Sequence, residues 1–184
     1  MKYILEYESF LLENLFPLEV VHDNQGRFYN VEYLDKPDTI HIKAWATSIR
    51  TNKKILASEL WLTNKKHSKG SLNSKIKGNW SKIGLGFTRT AFRGRGLYFQ
   101  LLWQALIYVS RTKSFANGIV SPVNTHELGL DYAEEHNHRT KEATMFWENL
   151  YNKQKIMGFG IRIRKIESKK YPKEYNYYLD NTNK

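Results

Sequence analysis

The sequence predicts a single α/β (α+β) domain on a mixed, mostly antiparallel central sheet, and three observations predict it. Alternating apolar runs pair as hairpins, Thr39–Ile49 with Ile55–Thr63 and Gly160–Ile166 with Tyr175–Leu179. Two segments, Leu97–Arg111 and Thr140–Tyr151, repeat apolar residues at helical spacing. Between the hairpins, a strand at Ser81–Thr88 leads through Arg93-Gly94-Arg95-Gly96 into the Leu97 helix and on to a short strand at Gly118–Val120. Such a strand–turn–helix–strand unit crosses over right-handed and lays its two strands parallel. A chain of 184 residues, 41% hydrophobic and 14% aromatic, suits one domain over residues 1–184 with a real core.

In chain order, Glu8–Phe16 has helical spacing through Phe10, Leu11 and Leu15 and stops at Pro17. Asp23-Asn24-Gln25-Gly26 reads as a turn and Val31–Leu34 as a short strand. In Thr39–Ile49, Ile40, Ile42, Ala44 and Ala46 alternate with His41, Lys43 and Trp45, and Arg50–Lys54 connects to the return strand. Residues 64–80 form a basic loop or twisted hairpin carrying Lys65, Lys66, Lys69, Lys75 and Lys77. In the next strand Ile83, Leu85 and Phe87 share one face. Gly84 and Gly86 on the other mark a bulge or a close backbone approach. The Leu97 helix carries the stripe Leu97, Leu101, Ala105, Leu106, Val109. The Thr140 helix buries Ala143, Phe146, Trp147 and Leu150. The tail, residues 180–184, is expected to fray.

Composition excludes several chemistries. The chain has no Cys, hence no disulfide, thiolate metal site or Cys nucleophile. No apolar run approaches the length of a transmembrane helix, and Glu6 and Glu8 interrupt any signal-peptide core, so a soluble cytoplasmic protein is expected. His126, His136 and His138, with Glu127, Asp131, Glu134 and Glu135, lack ligand spacing, and no metal is expected. Charge is distributed unevenly: the net +11 is matched by the segment Leu60–His126, which holds 11 Lys and Arg and no Asp or Glu. Clustered positive charge of this kind attracts phosphorylated ligands or polyanions.

The glycine-rich turn lies inside that segment. A glycine turn at a helix N-terminus presents unpaired backbone N–H groups at the positive end of the helix dipole, which is an anion cradle. The sequence fits neither a Walker loop nor a dinucleotide fingerprint. Arg93-Gly94-Arg95-Gly96-Leu97-Tyr98 resembles the acyl-CoA pyrophosphate loop of the GCN5-related N-acetyltransferase (GNAT) superfamily, Arg/Gln-x-x-Gly-x-Gly/Ala. Phe92 stands where that family often has an aromatic, Asn124 near the end of the following strand where it often has Asn, and Gly158-Phe159 opens the last hairpin. The order of elements matches over roughly Ile40–Leu179. Two departures stand out: Tyr98 replaces a small residue, and Leu150–Met157 reads as an insertion ahead of Gly158.

The resemblance implies a GNAT-like fold and transfer of an acetyl group from acetyl-CoA, or another acyl-CoA, to an amine by direct attack. It implies that the backbone of Arg93, Gly94, Arg95, Gly96, Leu97 and Tyr98 binds the pyrophosphate, with Arg93 and Arg95 adding charge and lysines of 65–82 nearing the 3′-phosphate. Phe87 and Thr88, at the splayed end of their strand, would hold the pantetheine arm and polarise the thioester carbonyl, with Asn124 close by. Tyr151 would be the general acid, and Glu59 on the first hairpin the general base. The acid-free segment also keeps open a nucleic-acid-binding or nucleic-acid-modifying protein on the same scaffold, as do the Tyr171–Tyr178 aromatics set among lysines.

Overall fold

The computed structural model describes residues 19–37, 39–63, 79–112, 116–123, 139–157, 162–168 and 171–180. The expected Glu8–Phe16 helix, the lysines of 65–77, Asn124, the His126–His138 segment and Gly158-Phe159 lie outside these. Eight strands form one sheet: β1 (Val20–His22), β2 (Phe28–Lys36), β3 (Thr39–Thr47), β4 (Lys54–Thr63), β5 (Asn79–Thr88), β6 (Ala116–Ser121), β7 (Arg162–Glu167) and β8 (Tyr175–Asp180). The helices are α1 (Leu97–Thr112) and α2 (Lys141–Met157), and a 3-10 turn at Thr90–Phe92 leads from β5 toward α1. The sheet order is β1-β2-β3-β4-β5-β6-β8-β7. Every pairing is antiparallel except β5–β6, which α1 connects. This is the mixed α/β architecture that the sequence predicts, with the elements in the order the resemblance implies.

Some boundaries differ for physical reasons. The strand β1 is only three residues long, too short to show a period. The β5 strand starts at Asn79, so the basic segment ends at residue 78. Asp180 belongs to β8, paired with Gly118 and Arg162, and not to the tail. Residues 150–157, which read as an insertion against the family pattern, are helical. They continue α2 to Met157, because no Gly or Pro interrupts good helix formers before Gly158.

A β-bulge gives β5 two faces that strict alternation does not predict. Leu62 pairs with Ile83 and Trp61 with Leu85, which leaves Gly84 as the extra residue. Ile83 is buried with Leu60 and Leu62 under α1, while Leu85 and Phe87 are turned to the other side and exposed at 43% and 38%. Gly86, opposite Leu60, comes round to the helix side. Gly84 and Gly86 therefore do the two things expected of strand glycines here, a bulge and a close approach.

Both helices share one core. Leu97, Leu101, Ala105 and Val109 of α1 pack with Ile40, Ile42, Leu60 and Leu62, and Trp147 of α2 joins the same cluster. Trp147 stacks on Tyr177 with ring centroids 5.8 Å apart and meets Phe146 edge-on. The Glu148 carboxylate accepts from the Tyr177 hydroxyl at 2.5 Å and pairs with Lys165 at 2.6 Å, tying α2 to β7 and β8. Burial works against that carboxylate, but Lys165 and Tyr177 hold it below its ordinary range. Arg139 fixes where α2 begins. It donates to the carbonyls of Ser121, Pro122 and Tyr175, and its guanidinium lies 4.7 Å over the Tyr177 ring. Trp147→Ala, which empties the largest fully buried site in this packing, is expected to cost about 3–5 kcal/mol, read from urea unfolding.

Candidate functional site

The glycine turn is built by backbone geometry and held from outside by the β1–β2 turn. Gly94 and Gly96 have φ of +73° and +76°, a conformation that favours glycine. A Cβ at Gly94 would meet nothing within 4 Å, so the backbone angle, and not crowding, demands glycine there. The Asn24 amide donates to the Arg95 carbonyl at 3.0 Å. The Arg95 guanidinium points inward, 3.9 Å from Asp23 and over the Phe92 ring at 5.7 Å. Asp23 is the hub. Its buried carboxylate accepts from the amides of Gln25 and Arg27 and from the Tyr29 hydroxyl, and the Tyr29 ring meets Phe92 edge-on.

The turn then opens α1. The first helical bond runs from the Gln100 amide to the Gly96 carbonyl at 3.1 Å, so the Leu97 and Tyr98 amides precede it at the positive helix end. No acid occupies the first turn of α1 to compete for them. Arg93 folds back, its Nε donating to the Thr88 carbonyl at 3.1 Å. Of the two arginines expected to reinforce an anion at the turn, Arg93 is bonded to a strand carbonyl and Arg95 has Asp23 as its neighbour.

Beside the turn the sheet divides. Strands β5 and β6 pair at Asn79–Ala116, Ser81–Ile119 and Lys82–Val120. Beyond Lys82, β5 continues to Thr88 with pairing to β4 only. This is the splayed strand end of the sequence reading. Its β4 side is firmly held: Ser58 donates to the Phe87 carbonyl at 2.8 Å and shares a hydrogen bond with the Thr88 hydroxyl at 2.9 Å, while the Arg89 amide donates to the Ala57 carbonyl.

The helix side of the splay holds the Tyr98 side chain. A Cβ added to Gly86 would stand 2.5 Å from the Tyr98 hydroxyl oxygen and 2.6 Å from its ring, so the ring lies directly on the β5 backbone. Phe146 of α2 meets that ring edge-to-face, centroids 5.1 Å apart. Burial raises the Tyr98 hydroxyl well above the ordinary tyrosine range, against the nearby Arg139 charge, and keeps it neutral.

Phe87 and Thr88 are at the splay, and Arg93 to Tyr98 form the turn at its mouth. Glu59 is half-buried on β4, register partner of Phe87 and of Lys43. Tyr151 stands one turn beyond Trp147 with the Lys165 ammonium 5.9 Å over its ring, toward β7. Asn124 lies outside the described residues. Lys82, at the end of the 65–82 stretch, is 1% exposed within β5, and burial lowers its pKa to about 8. Its signal in the sequence is its register, between the strand residues Ser81 and Ile83. Among the described cations of the acid-free segment, Arg89, Arg93 and Arg95 lie at the turn between β5 and α1, Arg111 lies in the last turn of α1, and Lys82 is buried. Among the described residues no cluster of His, Asp and Glu could hold a metal ion, and no helix is long and apolar enough to cross a membrane.

The chain is similar in fold to NAA60 of Arabidopsis thaliana. The NAA60 structure in complex with a bisubstrate analogue gives a TM-score of 0.47 at 14% identity, covering 96% of this chain and 90% of that one. The structure of NAA60 in complex with acetyl-CoA gives a TM-score of 0.44 at 13% identity with the same coverage. No protein-family model and no curated protein matches the chain.

Two outcomes follow from this geometry. Burial pushes the Asp23 carboxyl up, but the amides of Arg27 and Gln25, the Tyr29 hydroxyl and Arg95 outweigh it, and the pKa is held below 3.8. A depressed folded-state pKa gives stability that is present above the unfolded value and lost as the pH falls through the folded one. Urea midpoints of the wild type are therefore expected to drop as the pH falls below about 4, and those of Asp23→Asn to start lower and fall less. Gly86→Ala is expected to cost about 1–3 kcal/mol by crowding Tyr98, and most of that cost should vanish in the Tyr98→Ala background.

Proposed function

We propose that the chain is an acyl-CoA-dependent N-acyltransferase that moves an acetyl group from acetyl-CoA to an amine. The observation that carries this reading is the divergence of a parallel strand pair after Lys82 with a doubly left-handed glycine turn at its mouth. A splayed β5 offers backbone hydrogen-bonding groups along its free edge to an extended amide-bearing arm such as pantetheine. The amides of Gly94 to Tyr98 at the start of α1 suit the pyrophosphate. Arg93, which already reaches the Thr88 carbonyl, stands between the two.

In this reading the amine nitrogen attacks the thioester carbonyl carbon, the C–S bond breaks and the thiolate leaves. The amine proton passes to a base and the thiolate takes a proton from an acid. A strand amide near Thr88 polarises the carbonyl, and proximity supplies much of the remaining acceleration. Glu59 is proposed as the base, because β4 sets it opposite Phe87. Tyr151 is proposed as the acid; it lies on α2, whose Phe146 meets Tyr98 at the splay, with its own ring toward Lys165 of β7.

Calorimetric titration of the full chain with acetyl-CoA is expected to show stoichiometric binding. Gly96→Val puts a β-branched residue at φ +76°, where the backbone strain is about 1–3 kcal/mol, and is expected to abolish binding while the fold persists by circular dichroism. A folded wild type that binds no acetyl-CoA at high micromolar ligand overturns the assignment.

A further inference from the structure

The Tyr98 ring is not used by the cradle, which needs only its amide, yet it is the side chain that stands at the splay. Three observations define its position. It rests on the bare backbone of Gly86, four residues past the last β5–β6 pair. It is braced by the edge of Phe146, so it bridges from the first turn of α1 to α2. It also leaves the same helical turn whose amides form the cradle, so a ligand that seats on those amides meets the base of this side chain.

We propose that Tyr98 is a gate on the acyl-CoA slot, its ring closing the helix side of the β5–β6 gap against Gly86 and Phe146 and turning aside to admit the acyl-pantetheine arm. The inference rests on the acyl-CoA reading above. An arm running along the free edge of β5 passes Gly86, and the ring standing on the helix-side face of that residue narrows the slot the arm must enter. The close approach is possible only because residue 86 has no side chain, so Gly86 and Tyr98 act as seat and gate. The hydroxyl is neutral, so opening moves no charge and breaks the aromatic edge contact to Phe146. A site that binds only when open has an apparent Kd equal to the intrinsic Kd divided by the open fraction, so the closed ring weakens binding and slows association.

The test measures acetyl-CoA affinity by calorimetry and association by stopped flow in the full chain and in Tyr98→Gly, Tyr98→Phe and Phe146→Ala. Tyr98→Gly is expected to bind about 10-fold tighter than the wild type and to associate faster. Tyr98→Phe, which keeps the ring, should shift affinity and rate by less than Tyr98→Gly does. Phe146→Ala removes the brace and should shift both readouts in the same direction as Tyr98→Gly, by less. If Tyr98→Gly does not fold, Phe146→Ala carries the decision by itself. Equal affinity and rate across the folded variants overturn the gate and leave the acyl-CoA reading standing. Weaker binding by Tyr98→Gly overturns it too, because the ring is then a ligand contact. No acetyl-CoA binding by the wild type or any folded variant overturns the reading on which the gate depends.

Discussion

The fold turns on the unequal pairing of β5. This strand is held to β4 from Thr63–Lys82 through to Ser58–Thr88, but to β6 only over its first residues. On the β4 side the pairing is antiparallel, reinforced by Ser58 and absorbed at one point by the Gly84 bulge. On the β6 side it is parallel, and α1 must climb from the end of β5 and return across the sheet before β6 can begin. Meanwhile β6 is claimed by β8, and its exit is fastened by Arg139 to β8 and α2. With β5 fixed to one half of the sheet and the end of β6 to the other, their pairing stops at Lys82–Val120 while β5 runs on to Thr88.

The glycine turn depends on a second part of the chain that is remote in sequence. Its two left-handed residues have little intrinsic preference for one conformation, since glycine is permissive in both directions. The Asn24 amide on the Arg95 carbonyl, the Asp23 carboxylate near the Arg95 guanidinium and the Tyr29–Phe92 edge contact remove that freedom. The buried carboxylate is tolerated because amides and a hydroxyl satisfy it along with the guanidinium, so it is not left as a lone charge.

Much of this was legible in the sequence. Period-2 runs located β3, β4, β7 and β8, and the 3.6-residue stripe of Leu97, Leu101 and Val109 located α1 and its buried face. The glycine spacing located the turn. What was not legible involves partners far apart in the chain. The Gly84 bulge reverses the faces of Leu85 and Phe87, and it is visible only once Trp61 and Leu62 are seen in register. Arg95 looks like a phosphate ligand in a basic segment, and only the fold shows that Asp23 of the β1–β2 turn stands 3.9 Å from its guanidinium. Lys82 reads as one more lysine of a basic stretch until pairing with Thr63 and Val120 encloses it. Tyr98 stands out as a misfit in a small-residue position, but nothing local says that its ring is accommodated by Gly86, 12 positions earlier.

The way charge is used bears on how such a site recognises an anion. The acid-free segment suggests a cradle lined by cationic side chains, yet the arginine at the centre of the turn faces an internal carboxylate and the other is bonded to a strand carbonyl. What faces outward at the turn is the amide end of α1. Amides do not titrate, so an anion held there has a pH dependence set by its own ionisation and by the fold, not by a cradle group. The helix dipole is screened by salt and falls off within a turn, so an anion must sit on the amides themselves to gain from it. Under the proposed acyl-CoA reading, the positive charge of the segment would act at long range on an anion, and the backbone of Arg93–Tyr98 would select the one that fits.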